Sequence, residues 1–582
     1  MNDLPDGIDR LTRRLQALEQ RLGSLEQRID SLENPLAARL PHPSPEANAA
    51  SAPVAAAAPP PAQSGSMFPV LGRALLGIAG AYVLRAAAES SSLPQLAIAS
   101  AGIAYAFLWL AWAARVRGGP RLTSSIYACT SALILAPMLW ELTLRFKVFS
   151  PAIAAGVVCG YALAALALGI FGRGVSDRKL TRDPASVVRV AFIAAAILSL
   201  ALAIASHAIM PFIVVLLILA AFCEFAPELN RMPETGALMA LAADAAIWIL
   251  IYIYFSQQAP GADYPSLARA ALLSPGIALF VLFAAGVIFK TVLQGKPITG
   301  FATVQTTIAL LLAAVSLADF GPSGAIVILG AVCLALSAAS YAVVFAVFER
   351  ASARRNVAIF SAWAAALLLA GSFLCLPPLP MIELLGAAAI AATKVGRWKS
   401  WLAFEFYGMV FLVVAAAAAG LFGFFASALV GTPSGTPALG VWLIAICSIL
   451  CYAAAMPREG ESWKPQTLHL AFAALAAGAV AALIAQELVS LIALKIVPGA
   501  HHLAFIRTLT LCAIALTLDY GGARWRRLEL TRLGYAALVL VAIKLVFEDL
   551  RNGHLGYIAA SIFLVALTFI AAPRVARTRR MT

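Results

Sequence analysis

Charge is what this chain has least of. Only 12% of its 582 residues are Asp, Glu, Lys or Arg, where a soluble domain carries about a quarter. Hydrophobic residues make up 62%, and the mean hydropathy is +0.89. So much apolar surface cannot be hidden from water, which excludes a soluble fold and makes lipid the solvent for most of the chain.

Catalytic motifs are missing too. The sequence holds no Walker loop, no HExxH, no GxSxG, no GxGxxG after a strand and no CxxC pair. It therefore gives no basis for NTPase, zinc-peptidase or serine-hydrolase chemistry. Cys129, Cys159, Cys223, Cys333, Cys375, Cys447, Cys451 and Cys512 all lie inside apolar runs and read as small buried hydrophobes, not as disulfides or zinc ligands. His501 and His502 are adjacent, which is poor spacing for one helix face, and His207, His469 and His554 are isolated. No metal and no cofactor is expected, and the reading leans away from an enzyme.

What is present starts with a patterned N-terminus. Ile8, Leu11, Leu15, Leu18, Leu22, Leu25, Ile29 and Leu32 are spaced alternately by three and four, which is a heptad seam. In that register Arg14, Arg21 and Arg28 fall at g, and Glu19, Glu26 and Glu33 fall at the following e. Each Arg then faces a Glu of a parallel partner chain, so residues 1–34 are expected to form a cytoplasmic coiled coil that makes a homo-oligomer; the alternative, a lone amphipathic helix on the bilayer, fits less well because the polar face mixes acidic and basic residues. Residues 35–66 are Ala- and Pro-rich and read as a disordered linker. No signal peptide is recognised, so the first apolar run is expected to be an uncleaved anchor.

From Met67 onward, apolar runs of membrane-spanning length alternate with short polar breaks. We count about eighteen, which predicts an all-α polytopic transmembrane bundle over 67–573, followed by a basic tail at 574–582. The formal charge of +14 fits this reading better than it fits nucleic acid, because the basic residues are clustered between apolar runs. With a cytoplasmic N-terminus, 27 loop and flanking Lys and Arg residues face the cytoplasm and 6 face outward. Both termini are therefore expected to be cytoplasmic. No loop is long enough for a soluble domain, so any activity belongs to the spans and their hairpins.

A few charges fall where the bilayer disfavours them, at about 2.5–3.5 kcal/mol each at mid-membrane. Asp244 sits near the centre of GALMALAADAAIWILIYIYF. It reads either as a proton-coupling carboxylate in a transport path or as a hydrogen-bonded group that fixes helix packing. Lys544 and Glu548 are one helical turn apart, with Asp549 next in sequence. Arg507 lies about one turn inside HHLAFIRTLTL, Arg85 and Glu89 end the first span, and Glu141 and Arg145 end the third. These positions suggest an outward-facing polar cavity for an anionic or zwitterionic headgroup, a sugar or a small solute. Arg85, Arg507 and Lys544 would contact the anion, and Glu141 or Glu548 would tune them. The competing view is ordinary charge at unrelated helix ends. Three hairpins, around LRAAAESSSLPQLAI, LWELTLRFKVFSPAI and LVFEDLRNGHLGYI, share charge, a short turn and a following helix, without establishing an internal repeat.

The segments GRALLGIAGAYVLRAAAESSSLP and KLVFEDLRNGHLGYIAASIFLVALTFI, with the coiled coil and linker before them, resemble a bacterial family of large polytopic membrane proteins known only as a domain of unknown function. The resemblance implies a bacterial inner membrane and brings no catalytic residues with it. Three functions remain open. One is transport or handling of a lipid or envelope component through the cavity. Another is an oligomeric scaffold for envelope machinery. The third is a transferase acting on lipid-linked substrates at the outer face. The partners expected are membrane lipids and further copies of the chain, not nucleic acid.

Overall fold

The computed structural model describes residues 67–90, 95–115, 121–171, 184–226, 233–255, 264–349, 353–429, 437–455, 466–494, 499–552 and 554–577. The seam residues Ile8 to Leu32, the 35–66 linker and the end of the basic tail lie outside these residues.

The described residues are helical, with no strand among them. In chain order the helices are α1 Met67–Ser90, α2 Gln95–Arg115, α3 Arg121–Trp140, α4 Pro151–Phe171, α5 Pro184–Ala205, α6 Ile209–Phe225 and α7 Pro233–Tyr254. Next come α8 Arg269–Ile288, α9 Gly300–Phe320, α10 Ala325–Val343, α11 Arg354–Cys375, α12 Pro378–Lys399 and α13 Leu402–Ala418. The chain ends in α14 Leu421–Leu429, α15 Leu439–Ala455, α16 Gln466–Ala493, α17 Ala500–Trp525, α18 Leu528–Lys544 and α19 Leu555–Arg577.

Thirteen of these helices are long and apolar enough to cross a bilayer, and fourteen if α13 and α14 form one broken span. The sequence count of eighteen is larger. Part of the difference is α6 and α15, at 17 residues each. A helix of that length rises about 25 Å, short of a hydrocarbon layer about 30 Å thick. The outer surface fits lipid: large apolar side chains such as Leu76, Tyr252, Phe547 and Leu555 are between 73% and 88% exposed, an arrangement that water would disfavour. The chain is therefore an all-α, multi-pass integral membrane protein.

Many sequence neighbours pack together, among them α2 with α3, α4 with α5, α10 with α11, α12 with α13 and α17 with α18. One apolar core joins α2 through α9, from Ala99 to Phe320, and a second joins α11 through α16, from Ala365 to Leu483. All eight cysteines are free; Cys223, Cys333, Cys451 and Cys512 are buried, while Cys159, Cys375 and Cys447 are half-buried and Cys129 is exposed, which departs from the buried reading.

Two local features shape the site. The first is the break between α13 and α14, a bend of 64°. Gly420 makes it with φ of 73°, a left-handed conformation that a Cβ disfavours. The second is a π turn at the end of four helices: Glu141–Arg145 after α3, Phe289–Leu293 after α8, Val344–Phe348 after α10 and Leu545–Asp549 after α18. A π turn closes i to i+5 hydrogen bonds, so it stacks a residue over the fifth before it instead of the fourth.

Candidate functional site

The densest buried charge in the described residues lies where α14, α17 and α18 meet. The α18 helix ends at Lys544, and the π turn Leu545–Asp549 follows it directly. The widened turn brings both acids back to the lysine. Lys544 Nζ lies 3.2 Å from Asp549 Oδ1 and 3.3 Å from Glu548 Oε2. It also donates to the Ala504 carbonyl and to Thr508 Oγ1, each at 2.8 Å. Thr508 in turn donates to Asp549 Oδ2 at 2.7 Å.

Arg507, next to Thr508 on α17, faces the other way. Its Nη1 donates to Glu548 Oε1 at 2.6 Å. Its Nε donates to the Ala428 carbonyl at 2.8 Å and its Nη2 to the Ser427 carbonyl at 3.1 Å. Those carbonyls belong to the last turn of α14, where the helix has no intrahelical donors left for them and carries its negative dipole end. A guanidinium with its fork of donors suits two carbonyls and a carboxylate at once.

Arg507 is 2% exposed, Asp549 2% and Lys544 9%. Two cations and two carboxylates thus form a charge-balanced network inside the bundle. Such an arrangement is tolerable in low dielectric only when every charge is partnered, and removing one partner costs about 3–5 kcal/mol.

Of the five residues expected to line an anion site, three meet here: Arg507, Lys544 and Glu548. The cations donate to groups of the protein itself. Glu141 lies in the N-terminal half, on the π turn after α3, a helix packed against α2 and α5. Its neighbour Arg145 lies over the Phe146 ring at 5.3 Å. Arg85 is on α1, and its side chain lies outside the described residues. Asp549 is not among the site residues expected from the sequence. Only the π turn makes it a partner of Lys544, and α-helical periodicity carries no sign of that turn.

Asp244 is on α7, within the first core. Gln305 of α9 donates its amide to both carboxylate oxygens, at 2.8 and 3.0 Å. Asp244 is 9% exposed and Gln305 1%. The bonding is that of a carboxyl tying two helices together, one of the two readings of this residue from sequence.

A second polar group gathers at the other end of α18. Glu529 accepts from the Tyr452 hydroxyl at 3.1 Å and lies 3.7 Å from Arg527. His469 of α16 lies 3.8 Å from Glu405 of α13, both buried. The histidines at the start of α17 are not isolated from His554: the His501 ring is 4.1 Å from His502, 5.4 Å from His554 and 5.1 Å from Tyr557. No group of His, Cys, Asp or Glu among the described residues is arranged to hold a metal ion.

The fold and these sites define a multi-pass helical membrane protein with its buried charge concentrated beside a broken span. No family model, no curated protein and no solved structure matches the chain.

Proposed function

We propose that this protein is a carrier that moves or handles a lipid, sugar or other small envelope component, and that the Arg507–Glu548–Lys544–Asp549 network is its gate. One observation carries the reading. Arg507 ties the carbonyl end of the broken half-helix α14 to the carboxylate of a π turn on α18. Broken helices within a membrane persist only where protein or a water-filled path satisfies their freed backbone groups, and carriers commonly place their substrate sites at such breaks. The charge balance of the network belongs to a closed arrangement. An anionic or zwitterionic headgroup entering from the outer side competes with Glu548 and Asp549 for Arg507 and Lys544. Asp244, bonded to Gln305, is a further carboxyl that can take up a proton during such a cycle.

In this reading the shorter apolar helices such as α6 and α15 cross as well, giving about eighteen spans, the host membrane is the bacterial inner membrane, and both termini are cytoplasmic. The excess of basic residues on one side and the family resemblance support it. The test is native mass spectrometry of the protein released from nanodiscs of host lipids. A defined lipid or solute that accompanies the wild type and is lost with Arg507→Ala supports the carrier. Bulk lipid alone, with no difference between the two proteins, overturns it.

The heptad seam favours a second reading, an oligomeric scaffold for envelope machinery. It requires an oligomer that disappears when Leu15, Leu18 and Leu22 become Ser and a function that survives Arg507→Ala. A monomer in the wild type removes this reading.

A further inference from the structure

Between the two polar groups of α18 lies one carboxyl that neither of them uses. Asp519, on α17, is completely buried. Neither of its carboxyl oxygens has a hydrogen-bond partner, and no ion pair among the described residues includes it. It points at α18: a Cβ added to Gly534 would lie 2.2 Å from Asp519 Oδ1. Only glycine leaves room for the carboxyl at that position.

Burial with no partner disfavours the ionised carboxylate, so this seat favours the neutral acid. The ionisable groups on the packed elements have other partners or lie away from it. On α18, Glu529 is bonded to Tyr452 and lies near Arg527, Lys544 is bonded to Asp549, and Arg532 and Tyr535, either side of Gly534, are exposed. On α16, His469 is beside Glu405, and Glu487 lines a separate apolar groove. Glu548 and Asp549 of the π turn hold Arg507 and Lys544. On α17 itself Tyr520 is exposed and Arg524 is on its last turn, and on α19 Tyr557 packs against the histidines.

The position is intermediate along the helix pair. Gly534 is five residues, roughly 7.5 Å, beyond Glu529 and ten residues, roughly 15 Å, before Lys544. Along α17, Asp519 is eleven residues, roughly 16 Å, from Thr508.

We infer that Asp519 is a proton-binding site of this protein: its carboxyl holds a proton while α17 and α18 are closed and releases it when they separate. The carboxylate takes one proton from the aqueous side nearest Glu529 and becomes the neutral acid; separation of the helices hydrates the group and returns the proton. This rests on the carrier reading and names its coupling ion as the proton.

The experiment is infrared spectroscopy of the full chain in nanodiscs at neutral pH, with aspartate side chains labelled by carbon-13. The wild type is expected to show the carbonyl stretch of a protonated aspartic acid, and Asp519→Asn is expected to lose it. Gly534→Ala, which forces the carboxyl away from its seat, is expected to shift or abolish the same band. Spectra unchanged by both substitutions overturn the inference. A ligand that co-purifies while the band is insensitive to Asp519 leaves the carrier standing and removes the proton site. A band that depends on Asp519 with no ligand ever co-purifying keeps the proton site and removes the carrier.

Discussion

Lys544 and Asp549 stand five residues apart and are bonded to each other, Nζ to Oδ1 at 3.2 Å. On a regular α-helix the fourth residue is the neighbour and the fifth has turned away. The π turn Leu545–Asp549 brings the fifth residue in beside the fourth, and so gives one lysine two acidic partners.

Breaking this network from one side is costly. Arg507→Ala leaves Glu548 and two α14 carbonyls without their donor, and is expected to destabilise the protein by about 3–5 kcal/mol. Arg507→Ala combined with Glu548→Ala should recover part of that loss. Thermal unfolding of the wild type, Arg507→Ala, Glu548→Ala and the double variant in detergent gives the coupling; additive losses would show that the two side chains do not depend on each other.

Lys544→Met should be worse than Lys544→Met with Asp549→Leu. The single change buries an unpaired carboxylate, and the double change replaces an ion pair by apolar groups, which is often close to neutral. Equal stabilities of the two variants would contradict the bonding described.

How much of this was legible in the sequence differs by feature. The helices and their apolar faces follow from run length alone, and the runs containing Asp244, Arg507 and Lys544 all fold as helices. Lys544 and Glu548 do meet, as i, i+4 spacing predicts. The partner of Asp244, Gln305, is 61 residues away, and no local pattern joins two residues brought together by tertiary packing. His554 likewise reaches His501 only through the packing of α19 on α17. The break at Gly420 is a single glycine in a long apolar run, and its left-handed φ is a backbone fact that composition does not reveal. The coiled coil and linker fall outside the described residues.

Gly420→Ala tests that break. A Cβ at a left-handed residue costs roughly 1–2 kcal/mol, so the variant should lose about that much stability or straighten the α13–α14 bend. Distance measurements between spin labels on α13 and α14 read the second outcome. No change in either quantity would mean that the bend does not depend on glycine.

Asp244→Asn should keep the fold, because an asparagine carbonyl still accepts from the Gln305 amide. Asp244→Leu should cost about 1–3 kcal/mol by leaving that amide unsatisfied in the core. Chemical denaturation of both variants checks the order; an Asn variant as unstable as the Leu variant would show that the charge itself is required.

Changing Leu15, Leu18 and Leu22 to Ser should abolish self-association and leave the stability of the membrane domain unchanged. Cross-linking in native membranes and thermal unfolding read the two parts. An oligomer that survives the three changes would place the contact elsewhere.

The four π turns also have a practical consequence for anyone mapping this protein residue by residue. In a cysteine-accessibility scan, a regular span yields a stripe that recurs with helical phase. Past Glu141, Phe289, Val344 and Leu545 that phase slips, because each turn holds more residues than the helix it closes. A stripe that faces lipid in the body of α18 will therefore drift toward the protein interior within its last turn. Labels chosen by extrapolating the helix would then report the wrong face at the very end where Glu548 and Asp549 are found.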